Sequence, residues 1–188
     1  MKLEDYGNYR IFLFSNSLMA FASGLFGPFY IIFLQNFGGS IQQFGFSIGL
    51  MALFQSVTSY FAGKYSDKIG RKIFLLLGGF LSAAIIFLYT LITSIMQLYI
   101  LQVALGITGA MTGTMTAVFL ADVTKKVSRG TDIGKYRAIV GIISALSIMG
   151  GGYVVGQLGY KAIFYFTAAV TAVSTLLLFY IREKSSFN

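Results

Sequence analysis

The sequence predicts an all-α membrane protein built from six transmembrane helices. Hydrophobic residues make up 56% of the 188 residues and charged residues only 11%, less than half of the charged fraction of a typical soluble domain. The apolar residues form six runs, most of them about 20 residues long, which suffices to cross the hydrocarbon core of a bilayer. The Lys and Arg residues flank these runs, so membrane topology explains the net charge of +8 better than a nucleic-acid partner does.

The predicted spans follow one another within a single six-helix domain, residues 1–188. They cover residues 11–34, 44–62, 73–93, 98–121, 136–158 and 160–181. The first contains the only proline of the chain, Pro28, which removes a backbone donor and predicts a kink. Glycines on the fourth and fifth spans predict close helix packing. They are Gly106, Gly109, Gly113, Gly151 and Gly152.

The distribution of cations between the connecting segments predicts the orientation in the membrane. Thirteen of the 14 Lys and Arg residues fall on one side of the predicted topology, and Lys161 alone falls on the other. All six acidic residues also lie on the crowded side. By the positive-inside rule, both termini and both charged loops are expected to be cytoplasmic, in a multi-pass protein of the cell inner membrane.

The chain contains neither Cys nor His, and this argues against an enzyme. It therefore has no thiolate nucleophile, no Ser–His pair and no Cys or His ligand for a metal. A Gly-x-x-x-x-Gly-Lys-Ser/Thr loop, which ATP-driven transport requires, is also missing from the sequence. We therefore expect no catalytic residue, no metal and no cofactor.

An internal repeat relates the two halves of the chain. An offset of 89 positions superimposes GKYSDKIGRK, residues 63–72, on GYVVGQLGYK, residues 152–161, and the first three spans on the last three. Because three is an odd number, the second copy must cross the membrane in the opposite direction. This 3+3 inverted repeat is typical of secondary transporters.

The segment Gly63-x-x-x-Asp67-Lys68-x-Gly70-Arg71-Lys72 resembles the signature loop of the major facilitator superfamily, a family of secondary transporters. Asp122 followed by Arg129-Gly130 is similar to a second family pattern, as are Gly151-Gly152 and Gly159-Tyr160-Lys161 with Phe164. The resemblance covers the whole chain, but only as the N-terminal six-helix half of that fold.

The resemblance implies a cytoplasmic latch that favours one of two access states. The residues assigned to it are Gly63, Asp67, Lys68, Gly70, Arg71, Lys72, Asp122 and Arg129. From the residues themselves, the two loop glycines permit a tight turn, and a helical continuation would let Asp67 and Arg71 pair at i, i+4. The alternative is a solvated loop that only obeys the positive-inside rule.

The resemblance also implies a substrate cavity near the middle of the membrane. The uncharged hydrogen-bonding side chains expected to line it are Asn16, Tyr30, Gln55, Gln102 and Thr112. For each of them, a hydrogen bond to a neighbouring helix is the alternative. Gln102 stands where the family usually has an arginine, and Ser147-Ile148 replaces the Gly-Pro of antiporters. Apart from Arg137 and Lys161, which are each the second residue of their span, no Asp, Glu, Lys or Arg lies inside a predicted span, so we expect a neutral or amphipathic small solute, or a charged one held by backbone groups and helix ends.

A family transporter needs two six-helix bundles, and this chain supplies one. We expect a half-size secondary transporter that is completed by a second copy or a complementary partner chain. The alternative is a truncated or non-transporting fragment that acts as an assembly or regulatory membrane protein. Besides the lipid bilayer and a small-molecule substrate, the second bundle is the partner that the sequence predicts.

Overall fold

The computed structural model describes residues 3–35, 39–124 and 126–181, and these residues form an all-helical bundle. The helices are α1 (Leu3–Phe26), α2 (Tyr30–Gln35), α3 (Ile41–Ile69), α4 (Arg71–Leu88), α5 (Ile95–Val123), α6 (Arg129–Leu158) and α7 (Tyr160–Leu177), followed by a 3₁₀ helix over Leu178–Tyr180. Helices α1 and α2 together form the first of six segments that are long and apolar enough to cross a membrane. The predicted fold class is confirmed.

Two helices begin at capping boxes in the uncharged connections. Ser40 at the start of α3 accepts a hydrogen bond from the backbone N–H of Gln43, whose side chain accepts one from the backbone N–H of Ser40. Ser94 and Gln97 form the same arrangement at the start of α5. Each box satisfies two backbone donors that a helix start otherwise leaves unpaired, so these connections can be short and sharp.

A single glycine separates the two helices at each of two tight junctions. Gly70, between α3 and α4, has a φ of 105°, and Gly159, between α6 and α7, has a φ of 77°. Residues with a side chain resist such values, and these are the two positive-φ residues of the described chain. They lie 89 positions apart, at matching places of the predicted repeat. The inverted orientation of the second copy stays a prediction.

The contacts between helices follow the predicted repeat. When each of the first three spans is matched to its counterpart among the last three, every major packed pair of helices corresponds to another packed pair or to itself. Helix α3 packs against α5 as α1 packs against α6, and α4 packs against α5 as α1 packs against α7, while α4 and α7 pack together. At the crossing of α1 and α7 the Ser15 hydroxyl donates to the Ser174 carbonyl oxygen over 2.8 Å, and the Ser174 hydroxyl donates to the Ser15 carbonyl oxygen over 2.7 Å. Both serines are buried, so these bonds replace water inside the bundle.

Two clusters of buried apolar side chains close the two ends of the bundle. The cluster at the charged end joins the N-terminal halves of α1, α4 and α6 to the C-terminal half of α5 and to the segment that follows α7. Its members are Phe12, Leu75, Met115, Leu120, Tyr136, Leu178 and Ile181. The cluster at the opposite end is aromatic, and its core comprises Leu25, Tyr30, Phe33, Leu34, Ile85, Tyr89, Leu98, Leu101, Ile163 and Phe164.

The helix ends differ from the predicted span ends because hydropathy marks the bilayer core and not the end of a helix. Helix α3 continues to Ile69 and α6 starts at Arg129, both within charged segments. Helix α4 ends at Leu88, before residue 93, where the Thr90 hydroxyl donates to the Phe87 carbonyl oxygen over 2.7 Å and competes with the helical bonds. Four cations of the topology count, Lys2, Lys125, Arg182 and Lys184, lie outside the described residues.

Candidate functional site

The signature segment is helical on both sides of one break. Gly63 lies inside α3 and has no positive φ, so the tight turn expected there is wrong, and the chain turns at Gly70 alone. Asp67 and Lys68 are exposed on the last turns of α3. Because Gly70 ends the helix, Arg71 begins α4, and the i, i+4 pairing of Asp67 with Arg71 is not what the structure shows.

The Arg71 guanidinium instead forms an ion pair with the Asp122 carboxylate at the end of α5. This pair ties the α3–α4 junction to the segment between α5 and α6. The side chain of Arg71 is 31% exposed and that of Asp122 is 52% exposed. Water therefore screens the attraction, which contributes about 0–1 kcal/mol in such surroundings. The pair fixes the position of the two groups more than it stabilises the bundle.

Two other cations of the predicted latch bind the carbonyl ends of helices. The Lys72 ammonium donates to the carbonyl oxygens of Phe179 and Ile181 over 2.7 and 2.8 Å, where the sixth span ends. The Arg129 guanidinium donates to the Ala121 carbonyl oxygen over 2.7 Å. Positive charge is favourable at a helix C-terminus, and these bonds also satisfy carbonyl groups that the helix leaves open.

Near the middle of the bundle lies a cavity of about 330 Å³. Every helix from α1 to α7 except α6 contributes residues to it. None of the described residues that line it carries a charge. Its polar side chains are Ser23, Tyr30, Gln55, Ser82, Gln102, Thr112, Thr167 and Thr171. The cavity can therefore offer many hydrogen bonds but no ion pair.

Four of the five side chains predicted for a substrate cavity line this one: Tyr30, Gln55, Gln102 and Thr112. Asn16 lies one turn before Met19, the first α1 residue of the lining. Its amide donates to the Phe12 carbonyl oxygen over 3.0 Å, and its Oδ1 accepts from the Thr116 hydroxyl over 3.5 Å. Asn16 is therefore placed as a link between α1 and α5, outside the lining.

A break in the first span brings Tyr30 into the cavity wall. Helix α1 ends at Phe26, and α2 begins at Tyr30, with Pro28 between them. The Tyr30 hydroxyl donates to Ser47 Oγ over 3.1 Å, and the Ser47 hydroxyl donates to the Phe44 carbonyl oxygen over 2.8 Å. Both hydroxyl protons are used, so the Tyr30 oxygen can only accept a further hydrogen bond.

Two buried polar atoms in the wall have no hydrogen-bond partner among the described residues. They are Oε1 of Gln102 and Oγ1 of Thr167, whose side chains are 1% and 0% exposed. Leaving a buried acceptor or donor unpaired costs about 1–3 kcal/mol. Other threonines of the spans avoid this cost by bonding back to their own helix, as Thr112 does to the Thr108 carbonyl oxygen and Thr175 to that of Thr171.

Four polar lining residues were not predicted from the sequence: Ser23, Ser82, Thr167 and Thr171. A signal was present for two of them, since Thr167, Thr171 and Thr175 repeat at i, i+4 on one face of α7. Ser82 gave no such signal. Its hydroxyl donates to Thr108 Oγ1 on α5 over 2.8 Å, a pairing that only the fold brings together.

The predicted packing glycines divide into three groups. A Cβ at Gly106 would overlap the Met51 carbonyl oxygen of α3, and a Cβ at Gly151 would lie 2.6 Å from the Phe29 ring. At Gly109 and Gly152 a Cβ would make ordinary contacts of 3.6 Å or more. A Cβ at Gly113 would meet no atom within 4 Å, so packing inside one chain does not explain that glycine.

Six apolar spans, five of which line an uncharged polar cavity, define a multi-pass membrane protein of the transporter class. The family model of the Major Facilitator Superfamily matches residues 12–187. The chain belongs to this superfamily, as the signature segment predicted.

Relatives of two sizes match the chain. It is 37% identical to the uncharacterized MFS-type transporter YitZ of Bacillus subtilis over 160 residues, which are 85% of this chain and 98% of that protein. It is 26% identical to multidrug resistance protein 2 of B. subtilis and 32% identical to the class E tetracycline resistance protein of Escherichia coli, each over 176 residues. These matches cover 93% and 91% of the chain but only 44% and 43% of the relatives, so the chain spans less than half of their length.

Proposed function

We propose that this chain is a half-size secondary transporter of the bacterial inner membrane, which moves a small solute by alternating access between two copies of the six-helix bundle. The observation that carries the proposal is a cavity with polar walls in a bundle whose helices α3 and α6 each leave one face uncovered. The proposal includes cytoplasmic termini, as the cation distribution predicts.

The two helices with the most open faces are α3 and α6, each of which packs mainly against one neighbouring helix. Only 6% and 11% of the residues in their most apolar windows are buried, compared with values between 28% and 44% in the other four spans. Large side chains on α3 such as Val57 and Tyr60 are 53% and 68% exposed, and on α6 Met149 and Tyr153 are 76% and 74% exposed. In the proposed dimer these two faces meet those of the second copy around an axis along the membrane normal.

The side chain of Gln55 is evidence that the open face of α3 contacts protein or water and not lipid. Its side-chain amide lies in the middle of the span, is exposed and makes no hydrogen bond within the described part of the chain. A polar group without a partner is costly in hydrocarbon. A second bundle would place Gln55 at a shared, hydrated cavity and remove that cost.

The latch is part of the same proposal. The Arg71–Asp122 pair and the two carbonyl-binding cations hold the charged end of one bundle together. Asp67 stands exposed at the end of α3, the helix whose face is open. We assign Asp67 to a contact with the second bundle that favours one access state.

A second candidate is a fragment of a longer transporter that serves in assembly or regulation. The partial coverage of the two resistance proteins favours it, whereas the 98% coverage of YitZ favours a half-size unit. In this case the open face would bind a complementary six-helix chain and not a second copy.

Cysteine crosslinking tests the dimer directly, because the natural chain has no Cys. The variant Val57→Cys/Met149→Cys places thiols on the open faces of α3 and α6. The control Leu77→Cys/Val173→Cys places them on α4 and α7, at side chains that are each 52% exposed. We expect disulfide-linked dimers in oxidised membranes for the first variant only. Strictly monomeric chains, or equal crosslinking of the control, would reject the dimer.

Transport is measured on the same protein in proteoliposomes. Tetracycline is the first compound to test, because one relative is named for resistance to it. Accumulation in vesicles that contain only this chain, abolished when the α3–α6 disulfide forms, supports a complete half-size transporter. Accumulation only after a second six-helix chain is added supports the complementary partner.

A further inference from the structure

We propose that the cavity selects uncharged compounds that present a hydrogen-bond donor, and that the carbonyl oxygen of Gln102 accepts that bond. The inference rests on the proposed function, because it names the substrate class of the same cavity. It starts from a chain of hydrogen bonds that reaches Tyr30, beside Gln102 in the cavity wall.

The chain of hydrogen bonds begins at the Phe44 carbonyl oxygen, which can only accept. The proton of Ser47 is donated to it, and the proton of Tyr30 is donated to Ser47 Oγ. The Gln102 side chain approaches the Tyr30 hydroxyl. Since the Tyr30 oxygen has no proton left to give, only the NH₂ group of Gln102 can bond to it.

The carbonyl oxygen of Gln102 is the unpaired group next to this network. Oε1 is buried and has no partner within the described residues. Gln102 belongs to the lining, and Thr167 on α7 contributes a second unpaired oxygen to the wall of the same cavity. A carbonyl oxygen accepts hydrogen bonds only, so the missing partner is an N–H or O–H donor.

The rest of the wall disfavours a solute with a net charge. No side chain in the described lining can neutralise a cation or an anion, and a small cavity without counter-charge disfavours either. The remaining lining is apolar, with Phe26, Ile86 and Leu105 among its members. The fitting compound is therefore neutral and amphipathic, with an apolar body and at least one donor.

Three compounds of similar shape separate these requirements. 4-Phenylphenol is neutral and has a donor, 4-methoxybiphenyl is neutral without a donor, and biphenyl-4-yl-trimethylammonium is cationic. Binding to the purified full chain in detergent is measured by isothermal titration. We expect the phenol to bind roughly tenfold more tightly than the ether, because one typical hydrogen bond contributes about that factor to affinity. We expect no measurable binding of the cation.

Variants then locate the donor contact. Gln102→Met keeps the length of the side chain and removes the acceptor, and it should reduce the preference for the phenol to less than about twofold. Thr167→Val should lower the affinity for the phenol independently, which keeps the test open if the first variant does not fold. The control Ser56→Ala alters an exposed hydroxyl of α3 that already donates to the Ala52 carbonyl oxygen over 2.9 Å, and it should keep the full preference.

The outcomes separate the substrate class from the proposed dimer. Equal binding of phenol and ether, preferred binding of the cation, or an unchanged preference in Gln102→Met overturns the inference even where crosslinking finds a dimer. A clear preference for the phenol supports it even where crosslinking finds monomers, because the cavity wall of one bundle carries the acceptor.

Discussion

Replacing Gly106 by alanine tests whether the closest approach between α3 and α5 holds the bundle together. The added methyl group would overlap the Met51 carbonyl oxygen and lie 3.1 Å from the Gln55 backbone nitrogen. Backbone atoms cannot turn away as a side chain can, so the cost should reach about 3 kcal/mol, the upper end for overpacking. Alanine recovers up to about 1 kcal/mol of helix propensity. We therefore expect a net loss of about 2 kcal/mol in the free energy of unfolding.

The matched control is Gly113→Ala on the same helix. A methyl group there meets no atom within 4 Å, so only the gain in helix propensity applies, and stability should rise by about 0.5–1 kcal/mol. Unfolding is followed by far-UV circular dichroism during titration of detergent micelles with dodecyl sulfate, at one protein concentration. If Gly106→Ala is as stable as the natural chain or more so, the close packing of α3 on α5 inferred from the structure is wrong.

Three further predictions concern the charged end and the broken first span. In a double-mutant cycle, Arg71→Gln and Asp122→Asn should show a coupling below about 1 kcal/mol because water screens the pair, and a larger coupling would place it in a buried setting. Lys72→Met should lower the free energy of unfolding by about 1 kcal/mol and speed hydrogen exchange at the end of the sixth span. If exchange there is unchanged, Lys72 does not cap that helix end. Pro28→Ala restores a backbone donor and should slow exchange between α1 and α2; unchanged exchange would mean that packing around Tyr30 holds the break.

The spans could be predicted from the sequence because a bilayer demands long apolar runs and leaves a strong signal. The junctions at Gly70 and Gly159 could also be predicted, since the repeat places a glycine at both. The helix ends could not, because the first turns of α6 and the last turns of α3 are polar and helical at once. Hydropathy indicates whether a segment lies in lipid or in water. It does not indicate whether the backbone of that segment forms the hydrogen bonds of a helix.

The uncharged, hydrogen-bonding character of the cavity could be predicted from the sequence, but the full set of residues that line it could not. The family resemblance indicates which spans line a cavity, and the hydrogen-bonding side chains on those spans led to Tyr30, Gln55, Gln102 and Thr112. Depth along the helix axis cannot be read in the same way, so Asn16 has the right type of side chain but lies a turn too near the charged end. Thr167 was missed because most threonines in spans bond back to their own helix, and only the structure shows that this one does not.

Two of the charged residues in the signature segment have separable tasks. Arg71 has its partner Asp122 in the same bundle, so its contribution is present whether or not a second bundle is bound. Asp67 is exposed beside the open face of α3 and, within the part of the chain that the structure describes, contributes no ion pair that its loss would break. Asp67→Asn should therefore leave the unfolding of monomers in detergent unchanged, within about 0.5 kcal/mol. The same variant should alter crosslinking or transport wherever two bundles meet. An equal effect on monomer unfolding would show that the motif serves ordinary loop stability.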